Sequence, residues 1–209
     1  MPEPLTKQEI TSKTDPTVAK QYDHTTPRDQ QLKDLYHILD SGKVCLLATQ
    51  RPSIGPVSRS MAIAERKGPD FLFIANAHSQ KFSDLEHDKK VQITYQNSST
   101  QDWVSVTGTA EAGRPGKEDP RIEKLWNQGI RAWFGDLGDG VHTGGPEDPR
   151  MKVISVRAEY ISYWKANVTT LGFIKEVVGA AVTGGVANTG LLREIKGDDL
   201  EHARNVARK

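Results

Sequence analysis

Between Lys43 and Ala112 the chain is cut into short runs of alternating apolar and polar residues, each ended by a turn signal. Pro52, Gly55 and Pro56 part Lys43–Gln50 from Val57–Ala64, and Lys67-Gly68-Pro69-Asp70 parts the latter from Phe71–Ala75. Val91–Gln96 and Trp103–Ala112 follow a short helical pattern over Lys81–Asp88. A period of two buries one face only when the segment is extended, and tight turns join antiparallel neighbours. The pattern predicts a mainly β (α+β) fold, an antiparallel sheet curled into a barrel with flanking helices.

The flanks read differently. Thr26-Pro27-Arg28-Asp29 is a helix start, with Thr26 as cap, Pro27 at the first helical position and Asp29 in the first turn. Leu32, Leu35, Ile38 and Leu39 then share one helical face, and Gly42 stops it. Glu118–Gly129 has a helical pattern with Pro120 in its first turn, and Arg131–Pro149 reads as a Gly-rich loop carrying Trp133-Phe134. Met151–Trp164 returns as strand, in two segments or one long bent one. Residues 1–25, polar and proline-containing, read as a mobile arm, 26–165 as the barrel domain, and 166–209 as a partly helical C-terminal extension. Within that extension lie an apolar patch at Leu171–Val178, a small-residue stretch at Gly179–Gly190 and a charged helix from Asp198.

Composition removes whole classes of function. Lys+Arg 28 against Asp+Glu 27 leaves a net charge of +1, so no basic footprint points to nucleic acid or an acidic membrane surface. No segment approaches the ~20 apolar residues of a membrane span, and the N-terminus carries no apolar leader. The single cysteine, Cys45, sits in the apolar run Val44–Ala48 and reads as a buried structural thiol in a reducing compartment, which points to the cytoplasm. The six histidines show no paired zinc spacing, and neither a Gly-x-Ser-x-Gly elbow nor a Walker-type lysine is present.

Two places carry chemistry. In Val57–Ile63, alternation puts Arg59 on the same face as Val57, Met61 and Ile63, where a cation needs an anion, either an internal carboxylate or a ligand. After Phe71–Ala75 comes Asn76-Ala77-His78-Ser79-Gln80-Lys81, a turn into a helix. Ser79 as cap, the free amides and the Lys81 ammonium would make an oxyanion cradle, the alternative being an ordinary helix start with a solvated lysine.

Arg59-Ser60-Met61, the Phe71-Leu72-Phe73-Ile74-Ala75 strand and Ser79-x-Lys81 together resemble the FMN-binding split-barrel family, in its general stress protein branch related to pyridoxamine 5'-phosphate oxidase. Val91–Tyr95, Trp103–Ala110, Leu125-Trp126, Trp133-Phe134, Asp148-Pro149 and Glu159–Trp164 continue the resemblance in order. Thr170–Ile174 resembles the fungal blue-light-inducible members. The resemblance implies a six-stranded antiparallel split barrel working as a homodimer, with FMN, or FAD, as cofactor and redox chemistry carried by the flavin. A non-enzymatic flavin-binding sensor, store or interaction module is the alternative, and haem or a deazaflavin in the same barrel a third reading. By resemblance, Arg59, Ser79 and Lys81 hold the phosphate with Gln80 beside it. Ser60, Met61, Ile74 and Ala75 present backbone to the ring and ribityl chain, and Trp103 and Trp133 approach the ring from either subunit. No side chain is required as acid or nucleophile. Gly135–Glu147 is longer than the branch typically shows, and the basic C-terminal motif of true pyridoxamine-phosphate oxidases is not evident.

Overall fold

The computed structural model describes residues 11, 14–23 and 25–207. Much of the arm expected over 1–25, namely residues 1–10, 12, 13 and 24, lies outside the described residues, as do 208 and 209. The elements are α1 (Pro16–Gln21), α2 (Arg28–Ser41), β1 (Val44–Arg51), β2 (Gly55–Ala62), β3 (Glu65–Lys67), β4 (Asp70–Asn76), α3 (Gln80–His87), β5 (Lys90–Gln96) and β6 (Trp103–Pro115). After a 3₁₀ turn at Gly116–Glu118 come α4 (Pro120–Leu125), α5 (Gln128–Phe134), β7 (Met151–Ala166), α6 (Thr170–Thr183), β8 (Gly190–Lys196) and α7 (Asp198–Ala207). The sheet runs β2-β1-β5-β6-β7-β4-β3, with β8 also paired to β7, and β1–β2, β1–β5, β3–β4 and β4–β7 are antiparallel.

The mainly antiparallel class with flanking helices is as expected; among the described residues the sheet has eight strands where six were expected. One extra strand arises because the Val57–Ala64 run stops at Ala62, and Glu65–Lys67 pairs separately with β4. The other, β8, comes from the extension, where the small-residue stretch gives way to Leu191, Leu192 and Ile195. Met151–Ala166 is one long strand. Trp133-Phe134 does not lie in a loop: it ends α5, which Asn127 caps by accepting from the Ile130 amide. Nor does Thr26 cap α2. The cap position is Pro27, and the Thr26 hydroxyl instead donates to Asp23 at 2.7 Å. Gly42 does end α2, in extended conformation, and a Cβ there would fall 1.9 Å from the Tyr95 ring.

The chain forms two compact units. The first comprises residues 1–42, 95–105 and 161–195. Its core takes the predicted α2 stripe, Leu32, Leu35, Ile38 and Leu39, with Val104, Ile161 and Ile195. A buried ionic knot closes it: Arg193 of β8 meets Asp23 at 2.7 Å, Asp34 at 2.6 Å and the Tyr163 hydroxyl at 3.1 Å. That hydroxyl donates to the Gln31 carbonyl at 2.6 Å, and Lys165 reaches the second Asp34 oxygen at 2.7 Å. Every polar atom of the knot is thus matched, the condition under which buried charge is tolerated.

The second unit comprises residues 43–94, 106–160 and 196–209. Inward residues of its strands, among them Leu47, Phe71, Phe73, Ile93, Val106 and Ile154, are fully buried. Cys45 is buried with them, its thiol pushed up to about 12 by burial, which makes it inert as a nucleophile. The opposite faces of β4 and β7 are covered as well: Met151 and Val153 pack with Ile122 of α4, against Leu72, Ile74, Ile130 and Phe134. That second layer brings α5 over β4.

Candidate functional site

The site grows from a buried carboxylate. Asp84 lies on α3 between the buried Phe82 and Leu85, and its side chain has no exposure. A carboxylate in that position is costly unless cations and donors surround it. It accepts from the Thr49 hydroxyl at 2.7 Å, from Arg51 at 3.1 and 3.2 Å, and from Arg59 at 3.1 Å. Burial works to raise its pKa, but the hydrogen bonds and charges of Arg51, Thr49 and Arg59 outweigh it, and the group is held below the usual carboxylate range.

Arg59 faces inward with Val57 and Met61, while Ser58, Ser60 and Ala62 face out. Its guanidinium also donates to the Thr49 hydroxyl at 2.6 Å and the Leu47 carbonyl at 3.3 Å. Among the described residues three of its five N–H groups are thereby used, and two remain. Of the two partners expected for this arginine, the internal carboxylate is present.

Lys81 is the third cation. Its ammonium donates to the Ser79 hydroxyl at 2.8 Å, and that hydroxyl donates to the Asn76 carbonyl at 2.7 Å. Ser79 holds the cap position of α3, yet its side chain serves the lysine and the turn, not the helix amides. Burial, then the nearby Arg59 charge, holds the ammonium below its ordinary range, with Asp84 pulling the other way. Asp84 thus pairs with Arg51 and Arg59 and acts on Lys81 through space, and among the described residues this group of three cations and one carboxylate has an excess of two positive charges.

Lys81 opens onto a cleft of about 620 Å³. Ser60–Ala64 and Ile74–Asn76 line it together with the cap residue Asn127 and Ile130, Trp133 and Phe134 of α5, with Lys43 and Val44 also on its border. Trp133 is 87% exposed, an unusual position for a large aromatic. Arg150 fixes the end of α5 that carries it, donating to the carbonyls of Phe134 and Gly135 at 2.9 Å each. The buried Asp148 holds Arg150 at 2.7 Å and accepts from the Gly144 amide, while Trp126 donates to the Gly144 carbonyl. The expanded loop is thus clipped at its far end.

Six of the ten residues singled out in the sequence line this cleft: Ser60, Met61, Ile74, Ala75, Lys81 and Trp133. Arg59 and Ser79 stand behind Lys81, and Gln80 is exposed at the first position of α3. Trp103 belongs to the first unit, where it lines a different hollow. Sequence reasoning missed Thr49, Arg51 and Asp84. The available signal was Asp84 itself, an acid flanked by Phe82 and Leu85 on the apolar side of a short helix.

Comparison with known proteins bears on the family and the fold. Residues 30–188 match the sequence profile of the family described as pyridoxamine 5'-phosphate oxidase like. Protein bli-3 of Neurospora crassa is 38% identical over 194 residues, covering 91% of each chain. General Stress Protein 26 from Bacillus anthracis superposes with a TM-score of 0.54 at 21% identity, covering 64% of this chain and 93% of that one. A pyridoxamine 5'-phosphate oxidase-related, FMN binding protein from Nostoc punctiforme gives a TM-score of 0.51 at 12% identity, covering 68% and 87%. At such identities the structural likeness speaks for the fold, and the profile and the Neurospora relative speak for descent. The chain belongs to the pyridoxamine 5'-phosphate oxidase-like family.

Proposed function

We propose that the protein binds FMN in the cleft of the second unit and works as a flavoprotein. The observation that carries this reading is the unbalanced charge at Arg51, Arg59 and Lys81, two positive charges beside a cleft of about 620 Å³ with an aromatic wall. A phosphate monoester is close to dianionic at neutral pH, so it neutralises the cradle and accepts from the Lys81 ammonium and the two remaining Arg59 N–H groups. Ser60, Met61, Ile74 and Ala75 would offer backbone to the ribityl chain and ring, and Trp133 an aromatic face. The FMN-binding Nostoc punctiforme protein, of like fold, supports the same assignment.

Bound flavin would supply electron transfer. The chain's part is to hold the phosphate, shape the cleft and limit water. No carboxylate or histidine lines the cleft among the described residues, which favours chemistry carried by the cofactor. FAD is the alternative cofactor, although its pyrophosphate carries about one charge per phosphate and so matches the cradle less closely than the monoester of FMN. Val44 and Leu46, 52% and 46% exposed on the outer face of β1, favour a homodimer that covers them. A stress-response role in the cytoplasm, without nucleic-acid or membrane partners, completes the reading; among the described residues no helix is long and apolar enough to cross a membrane.

The test is paired titration of the parent and Lys81→Ala with FMN and riboflavin. Loss of one charge-assisted hydrogen bond, roughly 1.5–3 kcal/mol, weakens FMN binding about 10- to 150-fold and leaves riboflavin binding nearly unchanged. Unchanged flavin anisotropy on titrating the parent protein would sink the reading. NAD(P)H oxidation by the loaded protein separates an enzyme from a non-enzymatic flavin binder.

A further inference from the structure

The helix that carries Trp133 is short: α5 has seven residues, and none of them is buried. A helix of that length is not stable by itself, so tertiary contacts must hold it. Asn127 caps its start, and Ile130 and Phe134 rest against the cluster of Ile122, Met151 and Val153. Trp133, 87% exposed, stands outside that packing, so its place depends on how the last turn of α5 ends. Beyond that turn the chain runs into Gly135–Gly145, which holds five glycines and gives the helix end no support of its own.

Arg150 supplies that support. Its side chain, 11% exposed, donates Nη1 to the Phe134 carbonyl and Nη2 to the Gly135 carbonyl at 2.9 Å each, with the guanidinium 5.9 Å from the centre of the Phe134 ring. Asp148, whose side chain has no exposure, aligns the fork by accepting from Nε at 3.0 Å and from Nη2 at 2.7 Å. The same carboxylate accepts from the Gly144 amide at 2.8 Å, so one ion pair clasps the end of α5 to the far end of the loop. The backbone of Arg150 meets the other half of the site: its carbonyl accepts from the Ala77 amide at 2.7 Å, in the turn that leads to Ser79 and Lys81. Neither Arg150 nor Asp148 lines the cleft, and as a pair they carry no net charge.

Resting on the flavin reading above, we infer that Arg150, oriented by Asp148, is a positioning residue: by holding Trp133 in place it sets the affinity of the cleft for the flavin ring, independently of the phosphate cradle. The site then has two separable parts. Arg51, Arg59 and Lys81 read the phosphate, while the Asp148–Arg150 clasp fixes the aromatic wall and acts on any ligand that carries the ring, phosphorylated or not. A planar fork is needed for this, because two neighbouring carbonyls and a carboxylate are met at once, and the single ammonium of a lysine does not span them.

The double variant Asp148→Asn/Arg150→Met removes the clasp with no change of net charge and no stranded carboxylate. Its affinities for FMN and riboflavin are measured by flavin anisotropy on the full-length chain, in the parent and in a Trp133→Ala background, with far-UV circular dichroism to check the fold. In the parent background both ligands should weaken by the same factor, roughly 3- to 10-fold, the scale of one lost aromatic contact. In the Trp133→Ala background, already weakened by a like factor, removing the clasp should add less than about twofold, since residues that act through one another are not additive. Weakening confined to FMN, unchanged binding of both ligands, or a full loss that persists without Trp133 overturns the inference. So does a double variant that fails to fold, which makes the clasp a requirement of folding alone. A parent that binds neither ligand overturns the flavin reading along with it, whereas every other adverse outcome leaves that reading standing.

Discussion

Replacing Asp84 by Asn removes one negative charge and almost no volume, which makes it the sharpest probe of the cationic cradle. In the parent, Asp84 accepts four hydrogen bonds and faces two guanidiniums, with no exposure of its own side chain. Breaking a buried ion pair from one side costs about 3–5 kcal/mol, because the remaining charge is stranded. Arg51 and Arg59 keep 29% and 22% of their side-chain exposure and can recover part of their hydration, so the low end, about 3 kcal/mol, applies. For a chain of this size each kcal/mol moves the melting temperature by roughly 2–4 °C, giving a loss of about 6–12 °C at pH 7. The sign of the pH dependence follows from the lowered pKa. A carboxylate depressed in the folded state contributes its stability above the unfolded value, near 3.9, and loses it as the pH falls through the folded value. The gap between parent and variant should therefore stay constant from pH 7 to about pH 5 and narrow only below about pH 4. Differential scanning fluorimetry across that range measures both. A gap under about 2 °C at pH 7, or one that already closes between pH 7 and 5, would refute the ion-pair account.

Lys81→Arg keeps the cation but removes its titration, because a guanidinium does not deprotonate in this range. FMN affinity of the parent should fall as the pH rises toward the depressed Lys81 pKa, below the ordinary 10.5, and the variant should lose this alkaline limb; a persisting limb assigns it to another group. In the first unit, Arg193→Met strands Asp23 and Asp34 and should cost about 3–5 kcal/mol by denaturant titration, against which a loss below about 1 kcal/mol would count.

Reading the chain alone located most strands within a residue or two, because period-two burial is written locally and the turns between strands are marked by Pro and Gly. The Leu32–Leu39 stripe and the buried thiol of Cys45 were equally local. Where backbone conformation depended on competition, the reading failed. Thr26 looked like a helix cap, but Asp23 captured its hydroxyl; Ser79 held the cap position, but Lys81 and the Asn76 carbonyl took its side chain. Asn127 was the overlooked start of the helix that carries Trp133.

What the sequence determined was that a cation, Arg59, sits on an inward strand face, and that Ser79 and Lys81 follow at a strand-to-helix turn. Only the tertiary structure decided what those charges meet. Asp84 lies 25 residues beyond Arg59 and reaches it because α3 folds back against β1 and β2. The excess of two positive charges is a property of that packing, not of any segment. Trp103 and Trp133 looked alike as tryptophans next to strand or loop, and the fold sent them to different units and different cavities. Alternation fixes which face of a strand a side chain takes, but which cavity that face borders is set by contacts between residues far apart in the chain.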